Sequence, residues 1–574
     1  MSKPKDLHFF LLLSIFFFGC ASPQATFSVL IQNGRVLDGS GSPAFEADIG
    51  IVGDTIVAVG DLAGREALQT IDAAGLVVSP GFIDVHTHVD AAFGREGWSS
   101  IVNYLAQGVT TLRPGADGGS SHRIADTRER WEGVGMGTNA ALTVGINDVR
   151  EEVLGENHFR PATLEEIETI RERVRQAMRE GAWGISAGVE YGSLFKYATT
   201  EELIALTEPV GEFDGFYISH MRDEAAYLLD AIREIIRISE EAGVRVNVTH
   251  FKATGRRNWG LLEEAIDLIE EARAGGIRIT ADQYPFDQSA PIGFITELID
   301  VPRSWDPLTS ETSNTPAGLS IRRRLRDRDL SPVEQDEARQ QWVSFLQQAL
   351  EDESKREQLR QSTFEDRDVP SSVARWGWHD FRIKVAVKHA DLVEANLEEL
   401  AEREGRDAFD IVADLVSSEP DILFASGSMS PKDVRAAMSR PWVMVSSDGG
   451  GYAPVQLADP PVRGHPRSFA SQAIVLRQFV REEKLLTLEE AVRKMTSAPA
   501  TFLGLPDRGL LREGFKADIA VFDPDTVIDH ATYADSRQLA TGIHYVLVNG
   551  KVSIEKGEYS GGLHGKVLLR TGSK

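Results

Sequence analysis

Short apolar runs recur through the middle of this chain, separated by stretches whose apolar residues return at helical spacing. The runs fall at residues 76–84, 106–112, 139–145, 181–190, 216–220, 244–250, 278–284 and 442–448. Between the fifth and sixth, Leu228, Leu229, Ile232, Ile235 and Ile236 stand at i, i+1, i+4, i+7 and i+8, which is one apolar helix face. Thr199 followed by Glu202 reads as a capping box opening a helix. Eight strands with intervening helices predict an α/β fold, a (β/α)₈ barrel over 76–505.

The two ends of the chain have a different pattern. Residues 26–75 and 506–574 alternate in short strands and tight turns, and together predict one small β-domain beside the barrel. Asn33-Gly34 and Asn549-Gly550 carry hairpin signals, and Gly53-Asp54 a turn. One barrel connection, from 285 to 441, is too long for a loop. Its charged helical segments predict a helical insertion at about 290–380, after strand 7, and at the carboxyl end of the strands it would cover a site as a lid does.

Composition changes this picture little. The 574 residues are 42% hydrophobic and 26% charged, which is ordinary for a globular chain. A net charge of -26 excludes nucleic acid as a partner and disfavours attraction to anionic headgroups. The N-terminus does change it. A short basic start precedes an apolar run over 9–18, too short to span a bilayer. Cys20, the only cysteine, follows Gly19, so no disulfide framework exists. The stretch resembles a bacterial lipoprotein signal, with 1–20 as signal and Cys20 as the lipidated first residue. Ala21 after it favours the outer membrane, facing the periplasm. The alternative is an ordinary signal cut within 21–25.

Candidate chemistry gathers at the strand ends. The first strand runs into His86-Thr-His88, and side chains two apart on a strand point the same way. Two such imidazoles can bind one metal ion. His220 ends the fifth strand, His250 the sixth and Asp448 the eighth. One strand-helix repeat separates His220 from His250, so they share the barrel face where such folds keep their sites.

These stretches resemble the amidohydrolase superfamily, and within it the D-aminoacylase or N-acyl-D-amino-acid deacylase family. The likeness rests on Gly81-Phe-Ile-Asp-Val-His-Thr-His88, Gly181-Ala-Trp-Gly-Ile-Ser-Ala-Gly-Val-Glu-Tyr191 and His220-Met-Arg-Asp-Glu224. It continues in Thr249-His-Phe-Lys-Ala253, Asp282-Gln-Tyr-Pro285, Ser447-Asp-Gly449, His465-Pro-Arg467 and Gly514-Phe-Lys-Ala-Asp518. It implies a flanking β-sandwich, zinc at the strand ends (one or two per chain) and hydrolysis of a small N-acyl amino acid. In many relatives a carboxylated lysine on the fourth strand bridges two metals; the matched place here is near Ser186. D-aminoacylases use a cysteine after the second strand; here that position is Asp117. Asp117 and Glu190 are the two candidate bridging carboxylates.

A metal at His220 and His250 would lower the pKa of bound water toward about 7 and polarise an amide carbonyl. Asp448 is placed to carry the proton from that water to the leaving amine. The resemblance suggests that Lys252, Tyr191, Tyr284 and Ser289 hold the substrate carboxylate, with Arg222 and Arg467 as further basic candidates. Two other functions remain open on this reading: a cyclic amidase or dipeptidase of the same superfamily, and a non-catalytic ligand-binding lipoprotein.

Overall fold

Eight parallel strands form the barrel: β1 (Phe82–Asp84), β2 (Val109–Leu112), β3 (Asn139–Ala141, resumed at Val144–Gly145), β4 (Gly184–Gly188), β5 (Phe216–His220), β6 (Arg245–Val248), β7 (Ile279–Gln283) and β8 (Val443–Val445). The computed structural model describes residues 26–574 except 192–193, 195–196, 290–291, 303–304, 306–331, 365–371, 428, 455–463 and 571–574. The segment 1–20, with Cys20, lies outside the described residues.

β1 pairs with β2 and β2 with β3. From β3 onward each strand pairs with the next, through to β8. Thr87–His88 and Gly449–Gly450 pair in parallel and tie the eighth strand's end to the first's. Strands in such a ring are buried on both sides, which is why they read as apolar runs without alternation. β3 breaks at Leu142-Thr143. There the Thr143 hydroxyl accepts from Arg113 Nη1 (3.2 Å) and donates to the Pro114 carbonyl (3.0 Å).

The helix Leu228–Ala242 shows how the outer layer forms. It buries Leu228, Ile232, Ile235 and Ile238 against the barrel, with Leu229 and Ile236 at the edge of the stripe. Gly243 ends it in a left-handed conformation (φ 68°). Thr199 caps its helix by accepting from the Glu202 N–H (3.2 Å). The Glu202 carboxylate takes the buried Arg150 guanidinium at 2.8 Å.

The two chain ends meet in one nine-stranded hydrogen-bonded sheet, which is the small β-domain expected from them. Its centre is Phe27–Val36, which pairs antiparallel with Phe45–Val52 and parallel with Ala67–Asp72 and Val77–Pro80. Ile519–Phe522 from the far end joins Val77–Pro80. Val29, Ile31, Ile49, Ile519 and Leu547 share its core. Gly53-Asp54 and Asn549-Gly550 do turn two-residue hairpins. Asn33-Gly34 does not. It is a bulge inside Phe27–Val36, where Asn33 takes φ 61° and bonds Asp48 and Asp72. A Cβ on Gly34 would stand 2.5 Å from Val78 Cγ2, so close strand contact, not a chain reversal, selects this pair.

The long connection after β7 has a core of its own. Ile292–Phe294, Leu423–Ala425 and Arg382–Val385 make a three-stranded sheet. Residues from Ile295 to Phe424, among them Trp342, Phe381 and Phe409, pack into that core. It therefore extends past 380, because its third strand returns only at Leu423–Ala425. It is tied to the carboxyl end of β7, where the Tyr284 hydroxyl donates to Ser289 Oγ (3.3 Å) and Ser289 Oγ in turn donates to the Gly427 carbonyl (3.0 Å).

Candidate active site

The residues named from the sequence converge at the carboxyl ends of the strands. His86 and His88 follow β1. His86 Nε2 lies 3.3 Å from Asp448 Oδ1 and 3.5 Å from Asp117 Oδ1. His88 Nε2 lies 2.9 Å from Asp448 Oδ1 and 3.6 Å from Asp117 Oδ2. His220 ends β5 and His250 follows β6, with His220 Nδ1 and His250 Nε2 2.9 Å apart. Both of those nitrogens are 4.0 Å from Asp117 Oδ1. Asp117 thus belongs to two ligand-like groups, one with His86, His88 and Asp448 and one with His220 and His250. Glu190 lies on the far side of His220, its Oε2 2.8 Å from Nε2.

The local backbone is bent to reach this arrangement. Asp117 (φ 52°), His250 (φ 33°) and Asp448 (φ 53°) all adopt left-handed conformations without being glycine. Such strain persists where the surroundings over-determine it. The glycines beside Asp117 permit the turn. Gly118 also backs onto Asn147, whose Oδ1 would be 1.8 Å from an added Cβ. Arg113, fully buried, fastens this loop to β1 by donating to Val85 O (2.5 Å) and Gly115 O (3.2 Å).

The charges are strongly coupled. Burial opposes ionisation of Asp117 and of Asp448. The histidines around Asp117 outweigh it and hold that carboxyl below its usual value. Arg467 and His86 hold Asp448 well below its own. Burial lowers His250, while Asp448 and Asp117 raise His86 against its burial. His86 Nδ1, His86 Nε2 and Asp117 Oδ1 are buried and make no hydrogen bond among the described residues. Buried polar atoms left in that state cost free energy unless something binds them. A cation fits: imidazole nitrogens and carboxylate oxygens at strand ends are a zinc donor set.

The substrate-side candidates divide. Lys252 is buried, 2.6 Å from Glu224 Oε2 and 2.7 Å from His250 Nδ1. Burial alone would lower its pKa, but Glu224 raises it. Tyr284 is buried between Lys252 and Arg467, 5.9 Å and 5.8 Å from its ring centre, and its hydroxyl donates to Ser289 (3.3 Å). Tyr191 is half exposed and its hydroxyl meets His220 Nδ1 at 3.1 Å. Arg467 pairs with Asp448 Oδ2 at 2.5 Å. Arg222 is turned to Glu234 (2.8 Å) and to the Leu194 and Ala198 carbonyls, and is not brought to this cluster by any of those bonds.

Sequence reading gave Glu224 and Asp282 no role, although both lie in the quoted motifs. Glu224 is buried, its Oε1 2.7 Å from His250 Nδ1. Asp282, fully buried, accepts from Ser446 Oγ (2.6 Å), Asn247 Nδ2 (2.6 Å) and the His250 N–H (3.1 Å), tying β6, β7 and β8 beneath the site.

The amidohydrolase family model matches residues 69–288 and 336–554. The chain is 30% identical to a D-aminoacylase of Alcaligenes xylosoxydans xylosoxydans, covering 96% of this chain and 99% of that protein. It is 31% identical to an N-acyl-D-aspartate deacylase of the same organism, covering 94% of each. An N-acyl-D-glutamate deacylase from Bordetella bronchiseptica, solved with zinc and a phosphonate mimic of the tetrahedral intermediate, superposes with TM-score 0.68. Its identity is 26%, over 95% of this chain and 100% of that one.

Proposed function

The chain belongs to the amidohydrolase family, in its D-aminoacylase group, and on that premise we propose that it hydrolyses the amide bond of N-acyl-D-amino acids with zinc. The observation that carries the reading is Asp117 standing within 4.0 Å of His86, His88, His220 and His250, beside Asp448. His86, His88 and Asp448 would hold one ion, His220 and His250 another, with Asp117 shared. Glu190, on His220 Nε2, has the place of a carboxylate that orients a ligand rather than one that bridges.

Zinc held there supplies a Lewis acid that polarises the amide carbonyl and lowers the pKa of water. The protein's own groups do the rest. Asp448, kept ionised by Arg467 and His86, accepts at its carboxylate the proton that the attacking water gives up, and passes it to the leaving amine. Lys252 and Tyr284, with Ser289 behind the tyrosine hydroxyl, hold the substrate carboxylate so that the scissile bond stays over the histidines. The side chain expected is neutral or apolar: residues 285–295 offer no basic partner for an acidic one, and of the two further basic candidates Arg467 is paired with Asp448 and Arg222 with Glu234.

The test is a paired screen of zinc-loaded enzyme on N-acyl-D and N-acyl-L amino acids, scored by release of the free amino acid. Turnover of the D series alone is expected. Equal rates on both, or activity only on cyclic amides, would move the assignment to a cyclic amidase or dipeptidase of the same superfamily. Lys252→Ala is expected to raise KM and lower kcat/KM more than kcat, because it removes binding rather than proton transfer.

The mature chain, on the same proposal, starts at Cys20 and is anchored by lipid in the outer membrane, facing the periplasm. Support comes from the lone cysteine after an apolar segment. Among the described residues no helix is long and apolar enough to cross a membrane. Cys20→Ser should move the protein from the membrane fraction to the soluble one. A mutant that still sediments with membranes, with a mature start beyond 20, would refute the anchor.

A further inference from the structure

Two groups meet at one nitrogen, His250 Nδ1. Lys252 Nζ is 2.7 Å from it and hydrogen-bonded to it; Glu224 Oε1 is also 2.7 Å from it but is not aligned for a hydrogen bond, and Glu224 Oε2 is 2.6 Å from the same Nζ. All three residues are buried, so water cannot take over either role. A neutral imidazole carries one proton, and its position decides what the other nitrogen can do. If Nδ1 accepts from the Lys252 ammonium, the proton sits on Nε2, and Nε2 cannot ligate. If Nδ1–H donates to Glu224, Nε2 is left with a free lone pair toward His220 and Asp117.

We propose that Glu224 is a positioning residue that makes this choice: when Nε2 ligates zinc the proton must sit on Nδ1, and Glu224 Oε1, 2.7 Å away, is the neighbour able to accept it with a small rotation, while Oε2 takes up the Lys252 ammonium that must then leave that nitrogen. One carboxylate thereby joins the zinc half of the site to the substrate half. His220 has a simpler version of the same support, with Glu190 Oε2 2.8 Å from Nε2. This inference rests on the reading that His250 ligates zinc.

Zinc affinity is the readout, measured by competition with a chromogenic chelator at fixed pH. Glu224→Gln should bind zinc about 10–100-fold more weakly, the usual loss when a ligand's supporting partner is removed. Lys252→Met alone should leave zinc affinity at the wild-type value. In the double variant Glu224→Gln/Lys252→Met, affinity should recover by about tenfold over Glu224→Gln, because no ammonium remains to hold Nδ1 as an acceptor. Adding Lys252→Met to Glu190→Gln should recover nothing. A packing role for Glu224 predicts the opposite, since a second substitution at a buried contact adds damage. Wild-type affinity in Glu224→Gln, or no recovery in the double variant, overturns the proposal. Where Glu224→Gln does not fold, Glu224→Asp is compared with and without Lys252→Met, and the absence of recovery there overturns it equally. No substrate enters the measurement, so an inactive enzyme on N-acyl-D-amino acids would leave this test standing.

Discussion

Asp448→Asn is expected to keep its zinc and lose about 10²–10⁴-fold in kcat, the range in which a positioned general acid-base group contributes. The reason lies in how Asp448 is held. One oxygen faces His86 and His88, and the other faces Arg467 at 2.5 Å. An asparagine keeps a carbonyl oxygen for the histidine side and has nearly the same shape, so the site can still load. It cannot take up a proton. KM should change little, because the carboxylate contacts assigned to Lys252 and Tyr284 are untouched. The measurement is steady-state kinetics alongside zinc per chain. A fall of less than about tenfold at full zinc would put the proton transfer on another group.

The barrel, its strand-end histidines and Asp448 could be read from sequence because each depends on local order. A buried parallel strand announces itself as an apolar run, and a residue at its end inherits a known position. The same holds for Gly53-Asp54 and Asn549-Gly550, whose two residues are the whole turn. Asn33-Gly34 has the same signal and fails because its meaning depends on Val78, a strand away. Glu224 escaped for a related reason. It lies in a loop four residues past His220, and what defines it is His250 and Lys252 from the next strand. Asp282 and Arg113 are likewise legible only once β1, β6, β7 and β8 are side by side. The connection after β7 was recognisable as too long for a loop. That it closes its own core with a strand at Leu423–Ala425 depends on antiparallel pairing with partners far back in the chain.

Replacing Asp117 with Ala should remove one ion and spare the other. Without Asp117, His220 and His250 would be left as two protein ligands, below the three that catalytic zinc sites keep. His86, His88 and Asp448 would still number three. Lewis-acid stabilisation is worth several kcal/mol, and each factor of ten in rate takes roughly 1.4 kcal/mol. Loss of the ion at His220 and His250 is therefore expected to cost about 10³-fold in kcat. A strong chelator should bring the wild-type enzyme to the same level or below, and added zinc should restore the wild type but not Asp117→Ala. Glu190→Ala should behave differently. Its carboxylate supports His220 from the far nitrogen, so its loss weakens zinc about 10–100-fold but leaves the full count at saturating metal. Zinc counted per chain, at limiting and at saturating metal, separates the two. If Glu190→Ala loses an ion that Asp117→Ala retains, the shared carboxylate is Glu190, and the pairing of ligands proposed for this site has to be redrawn around it.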